Sequence, residues 1–164
     1  MKEMIKRRKD EGFTLIELMI VIAVIGILAI VLVPKVGTIK AQAKGAGIDS
    51  NVRMVQGYLQ SKASKWVDQK AEQDTVVADV YNAFTHVQDD QKIKNPFTQK
   101  DGINETDAAL EDDALLIKKG TYDGDGTGGS VVVVIPNMSD DPVAFTVYGL
   151  DNAGAIASTV KVTP

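Results

Sequence analysis

Glu17 is an acid in a place where acids are rarely left without a purpose. It lies in the run GFTLIELMIVIAVIGILAIVLVP over residues 12–34, in which residues 13–33 are apolar apart from Thr14 and Glu17. At about 1.5 Å rise per residue that run makes a helix of roughly 30 Å, the thickness of a bilayer core. An ionised carboxylate in lipid costs several kcal/mol unless something pairs with it, so an intramembrane acid is a functional residue by default.

The second candidate is the loop YDGDGTGGS over residues 122–130. Asp123, Asp125 and Thr127 match alternate ligand positions of a calcium loop, and Gly128 falls at the turn position. The acid that should close such a loop is absent, because Val134 stands there. Aspartate and glycine are also what an ordinary connection uses, so the residues favour a bare turn, with Ca2+ as the only candidate cofactor and none required. His86 is the single histidine and cysteine is absent. No nucleophile triad or hydrolytic metal centre can be assembled from this set, and the chain reads as a non-enzyme. Without cysteine, disulfides and thiolate zinc sites are excluded as well. The triplets at Asn104 and Asn137 match the glycosylation pattern and read as turns.

What surrounds Glu17 separates the run from an ordinary secretory signal. Such a signal is cut after its apolar block. Here the candidate site, Gly12 before Phe13, precedes the block and follows the basic cluster KRRK at residues 6–9. A cut there leaves the apolar helix on the mature chain. Removing residues 1–12, five of them basic and three acidic, takes the net charge from -4 to -6 over 152 residues. The basic end stays cytoplasmic and the acidic remainder crosses, as the positive-inside rule asks. A net acidic exterior also argues against non-specific DNA binding, and no specific nucleic-acid partner is expected.

The motif GFTLIEL, with its acid five positions into the mature chain and followed by Gly26 and Pro34, closely resembles the start of type IV pilins and of the pseudopilins of type II secretion. The resemblance is strong from residue 12 to about residue 40 and only architectural beyond. It implies that a membrane-embedded prepilin peptidase cuts after Gly12 and methylates the new amine of Phe13. It implies too that Glu17 pairs with the Phe13 amine of a neighbouring subunit, and that the segment from Gly26 to Pro34 loses helical structure when subunits pack. Further implied partners are identical subunits in a homopolymer, an assembly platform protein and a partner ATPase. The physical logic runs alongside: two helices offset by about one turn let a buried anion and a new N-terminal cation neutralise each other. An unpaired subunit is then expected to keep its acid unsatisfied.

The elements that carry these residues follow from periodicity. From residue 35 the helix continues and becomes striped, with Ile48, Val52, Val55, Leu59, Ala63 and Trp66 at spacings of three and four. One helix of roughly 50 residues starting at Phe13 is expected, with a kink or loosening at Pro34 and a second weak point at Gly26. The small residues Ala41, Ala43, Gly45, Ala46 and Gly47 fit either close packing or flexibility. Asp74 or Thr75 can cap a second helix bearing Val76, Val77, Val80, Phe84 and Val87, with His86 at its end on the surface. Residues 89–105 are irregular, and residues 108–119 read as a helical turn followed by a strand.

Three β-branched runs at residues 130–135, 143–148 and 155–162 read as an antiparallel meander whose apolar face covers the helix stripe. The expected fold is therefore α+β and pilin-like: a long N-terminal helix packed on a small antiparallel β-sheet of about three to four strands. The expected organisation is a leader at 1–12, a transmembrane or filament-core helix at 13–34, and an amphipathic helix with a globular αβ head at 35–164. The function that fits is a pilin stored in the cytoplasmic membrane and polymerised into a surface filament. The alternatives are a major pseudopilin of a type II secretion or DNA-uptake system, and a membrane-tethered calcium-dependent binding module that never polymerises.

Overall fold

The computed structural model of the chain describes residues 12–105, 113–124 and 126–164, without the side chains of residues 33–36. The first helix, α1, is Leu15–Asp68, 54 residues long. It runs unbroken through both Gly26 and Pro34. Contacts divide the chain into one unit that ends at Lys40 and another, Ala41–Pro164, so α1 belongs in part to each. In the first unit the stretch Leu15–Leu32 is long and apolar enough to cross a membrane, and none of it is buried.

In the second unit the helical stripe does what its spacing demands. Ile48, Val52, Val55, Leu59, Ala63 and Trp66 are each at most 3% exposed. A second helix, α2, Gln73–Thr85, buries Val76, Val77, Val80 and Phe84. Its N-cap is Glu72, which makes no side-chain capping bond, so neither Asp74 nor Thr75 takes the expected place. His86 is exposed at the C-cap. Trp66 donates from Nε1 to Asp79 Oδ2 at 2.9 Å, and Tyr58 donates its hydroxyl to the Asp79 carbonyl at 3.1 Å, which ties α1 to α2.

Five strands form one sheet in the order β1 (Gly102–Asn104), β2 (Asp113–Lys119), β3 (Val131–Ile135), β4 (Phe145–Leu150), β5 (Ile156–Val162). The last three make the antiparallel meander read from the β-branched runs. The sheet differs from expectation in having five strands and in being mixed, since β1 pairs parallel with β2 and β2 parallel with β3. The reason is burial: the first six residues of β2 and all five of β3 are buried, so neither strand shows the alternation that marks a half-exposed antiparallel strand. The parallel step is made by the connection between β2 and β3, whose Tyr122 lies on the sheet face opposite the helices. There Tyr122 packs on a second apolar cluster of Leu116, Val132, Val134 and Leu150.

Close approach explains two glycines. A Cβ on Gly149 would lie 2.7 Å from Ile48 Cγ2 and 2.9 Å from Val52 Cγ2, so α1 seats directly on β4 there. A Cβ on Gly47 would lie 3.0 Å from Pro96 Cγ, which identifies close packing as the use of this small residue. In a chain without cysteine the loops are joined by Asn95, which is fully buried. Its amide nitrogen donates to the carbonyls of Asp113 at 3.1 Å and Gly128 at 2.9 Å. Its Oδ1 accepts the backbone N–H of Phe97 at 2.9 Å and of Thr98 at 3.3 Å. Asn137 heads a turn, as expected, accepting the N–H of Ser139 on Oδ1, whereas Asn104 is no turn residue but the buried end of β1, where it pairs with β2.

Candidate processing and assembly site

The site is built at the first turn of α1. Gly12, Phe13 and Thr14 precede the helix in non-helical backbone and all three are exposed, with Phe13 at 89%. The Gly12–Phe13 peptide is therefore presented outside regular structure, where a protease can reach an extended chain. Thr14 then caps the helix. Its hydroxyl oxygen accepts the Glu17 N–H at 3.3 Å, while Glu17 Oε2 accepts the Thr14 N–H at 2.8 Å and its hydroxyl at 2.7 Å. This reciprocal arrangement is a capping box, and it fixes the carboxylate against the helix start. It also corrects an expectation: in a single subunit the acid is already hydrogen-bonded by its own chain. Thr14 is the residue that sequence reasoning passed over, and the T-x-x-E spacing from Thr14 to Glu17 is the signal that would have found it.

Below the box the helix surface is uniformly apolar. Fifteen large apolar side chains between Phe13 and Leu32 are about half to nine-tenths exposed. Leaving them in water forgoes on the order of 20 kcal/mol of burial at about 1.5 kcal/mol each, so lipid or other helices must cover them. Glu17 is the only ionisable side chain in this stretch. Gly26 lies within it, exposed and with nothing within 4 Å of a Cβ. Pro34 lies further along the helix and its side chain is outside the description.

A family model described as prokaryotic N-terminal methylation motif matches residues 7–33. The chain carries the class III signal sequence of type IV pilins and pseudopilins. No curated protein and no solved structure matches the chain. The methylation motif spans Gly12, Phe13, Thr14 and Glu17 and most of the exposed apolar helix, so the motif and the geometry meet on the same turn. A motif of this kind belongs to structural subunits rather than to an enzyme family, and implies processing by a prepilin peptidase and assembly into pilus-type polymers. The apolar helix that carries it fits membrane anchoring before assembly.

The second candidate site is described only in part. Asp125 and residues 1–11 lie outside the described residues. Among the described residues there is no group of three or more His, Cys, Asp or Glu side chains able to hold a metal. Thr127 contributes a buried hydroxyl without a hydrogen-bond partner, one suitable oxygen for an ion that takes six to eight. Asp123 is mostly exposed, and its Oδ1 lies 3.8 Å from the ammonium of Lys118, whose side chain is 5% exposed. A calcium ion on Asp123 would sit roughly 6 Å from that ammonium, a repulsion on the order of 5 kcal/mol at an effective dielectric of about 20. Of the three expected ligands, the described residues supply the Asp123 carboxylate and the Thr127 hydroxyl. Lys118 was hidden from sequence reasoning because a lysine in a strand reads as a surface residue.

Proposed function

We propose that this chain is the structural subunit of a type IV pilus. The leader at 1–12 is removed by prepilin peptidase after Gly12 and the amine of Phe13 is methylated. The helix over 13–34 holds the subunit in the cytoplasmic membrane and then becomes the core of an extracellular filament. The αβ head over 35–164 forms the outer layer. Identical subunits, an assembly platform protein and an ATPase are the partners. The segment from Gly26 to Pro34 is the part of α1 that loosens as subunits pack, since a glycine and a proline are the weakest helix formers in it.

The observation that carries this reading is a single carboxylate, held at the first turn of α1 where residues 15–32 are otherwise apolar and unburied, and the fifth residue after the peptide to be cut. In the assembled core the new Phe13 amine of one subunit neutralises Glu17 of the next, and a register that leaves either charge alone in hydrocarbon is disfavoured. Replacing Glu17 with alanine in cells tests it. Mass spectrometry of the N-terminus is expected to show Phe13 still exposed and methylated, while electron microscopy shows filaments lost. Filaments of normal length and number from Glu17→Ala would refute the pairing role. Short periplasmic assemblies in the wild type, formed only alongside a secretion channel, would transfer the same subunit to a type II secretion or DNA-uptake pseudopilus.

A further inference from the structure

Charge is unevenly shared within the second unit. From residue 41 to residue 65, all in α1, there are four Lys or Arg residues and one acid, whereas residues 66–164 hold seventeen acids against seven lysines. An acidic head thus carries one basic ridge. The head leaves one side of that ridge uncovered. Opposite the buried stripe of α1, Arg53 and Lys65 are exposed and bracket Met54, which is 44% exposed, and Gly57, where a Cβ would meet nothing within 4 Å. Neither Arg53 nor Lys65 makes an ion pair among the described residues.

Several acids of the head are already engaged. Asp74 pairs with Lys119 and Asp89 with Lys92, Asp79 accepts the Trp66 indole N–H, and Asp151 accepts two backbone N–H groups. Asp140 and Asp141, side by side and exposed in the turn between β3 and β4, make no ion pair among the described residues. The same turn shares a cleft with Val67 near the end of α1. At 1.5 Å rise per residue that end lies roughly 20 Å from Arg53, too far for Arg53 and these acids to meet within one head. We propose that the uncovered side of α1 around Arg53, Met54 and Lys65 receives the turn bearing Asp140 and Asp141 of a second copy of this chain. A contact between two different patches of one chain is heterologous, and it propagates into an open filament where it does not close into a ring. Exposed ion pairs are individually weak and screened by salt, so charge sets which patches meet and in what register, while repetition along the polymer supplies the strength. This contact rests on the pilus reading and names the parts of two heads that touch.

The chain has no cysteine, so disulfides within the polymer can come only from introduced thiols. A chain carrying both Arg53→Cys and Asp140→Cys is expressed in cells, and its sheared filaments are oxidised and run on a non-reducing gel. A ladder of covalent multimers that collapses on reduction is expected, with each single variant staying monomeric. Filaments that give no ladder overturn the contact, as does residue 53 joined instead to a different protein. Charge reversal is the second measurement, and it decides where the cysteine variant makes no filaments. Arg53→Glu with Lys65→Glu is expected to cut filament yield at least about tenfold, and adding Asp140→Lys with Asp141→Lys to bring it back to within about threefold of wild type. Both residues are exposed, so the melting midpoint of the head is expected to stay within about 2 °C of wild type and Phe13 to remain methylated. Unchanged yield on reversal, or no recovery on the compensating change, overturns the contact while wild-type filaments leave the pilus reading standing. A wild type that makes no filaments removes both.

Discussion

Residues 15–32 and residues 48–66 are two lengths of one helix with opposite relations to the rest of the chain. In the second length, apolar residues fall at every third or fourth position and each is buried against the sheet and α2. In the first, nearly every position is apolar and none is buried. A stripe can be satisfied by one partner on one side, and a single small domain supplies it. A helix that is apolar all round needs partners on every side, which lipid or a bundle of identical helices can provide and one αβ head cannot. The difference in periodicity between the two lengths is thus a difference in where the partner comes from: from within the chain for one, from outside it for the other.

The sharpest way to break that contrast is to remove equal amounts of apolar surface from each length. Leu59 is fully buried, and Leu59→Ala is expected to lower the stability of the head by about 4 kcal/mol through lost transfer energy and the cavity left behind. Ile22 is 60% exposed, and Ile22→Ala is expected to leave head unfolding within about 0.5 kcal/mol of wild type. Urea titration of the processed protein in a mild detergent, read by Trp66 fluorescence, checks both. Comparable losses from the two variants would mean that the first length is coupled to head folding after all.

The same contrast decides what could be read from the residues alone. The two lengths of α1 were legible because burial on one face and burial on all faces leave different spacings. The strands β3, β4 and β5 were legible as β-branched runs between turn residues. β2 was legible as the strand that ends the stretch 108–119, but its parallel pairing was not, and β1, three residues long within a stretch that read as irregular, was not legible at all. The capping box was legible in principle from Thr14 and Glu17, since both partners lie within four residues. Asn95 was legible only as a turn residue, because its carbonyl partners, Asp113 and Gly128, lie 18 and 33 residues away. Local chemistry shows in a sequence when its partners are near; a hub does not.

Asn95 sharpens the comparison from the covered side, because it is what lets the head be self-sufficient without a disulfide. Four hydrogen bonds converge on one buried amide and join the 93–100 loop, the start of β2 and the approach to β3. Asn95→Ala removes all four and is expected to cost about 2 kcal/mol, the range for losing a buried hydrogen-bonding group. Amide exchange should rise at Phe97 and Thr98 while the protection of residues 15–32 is unchanged. An equal rise along residues 15–32 would deny that the two lengths are completed independently.

The smallest effect concerns the rim of the covered length, where Tyr58 stands half-buried between the rings of Trp66 and Phe84. Burial first and the charge of Asp79 second raise the Tyr58 phenol above its ordinary value. The folded state then keeps a proton that the unfolded chain releases near pH 10, so the associated stability is whole below about pH 10 and is lost as pH rises through the folded value. Tyr58→Phe has no proton to lose. It is expected to start about 1 kcal/mol less stable at pH 8, for want of the bond to the Asp79 carbonyl, and then to decline less steeply than wild type as the pH rises above about 10. Equal slopes for the two proteins would place the alkaline sensitivity elsewhere, and with it would go the claim that this face of α1 is sealed well enough to perturb a phenol.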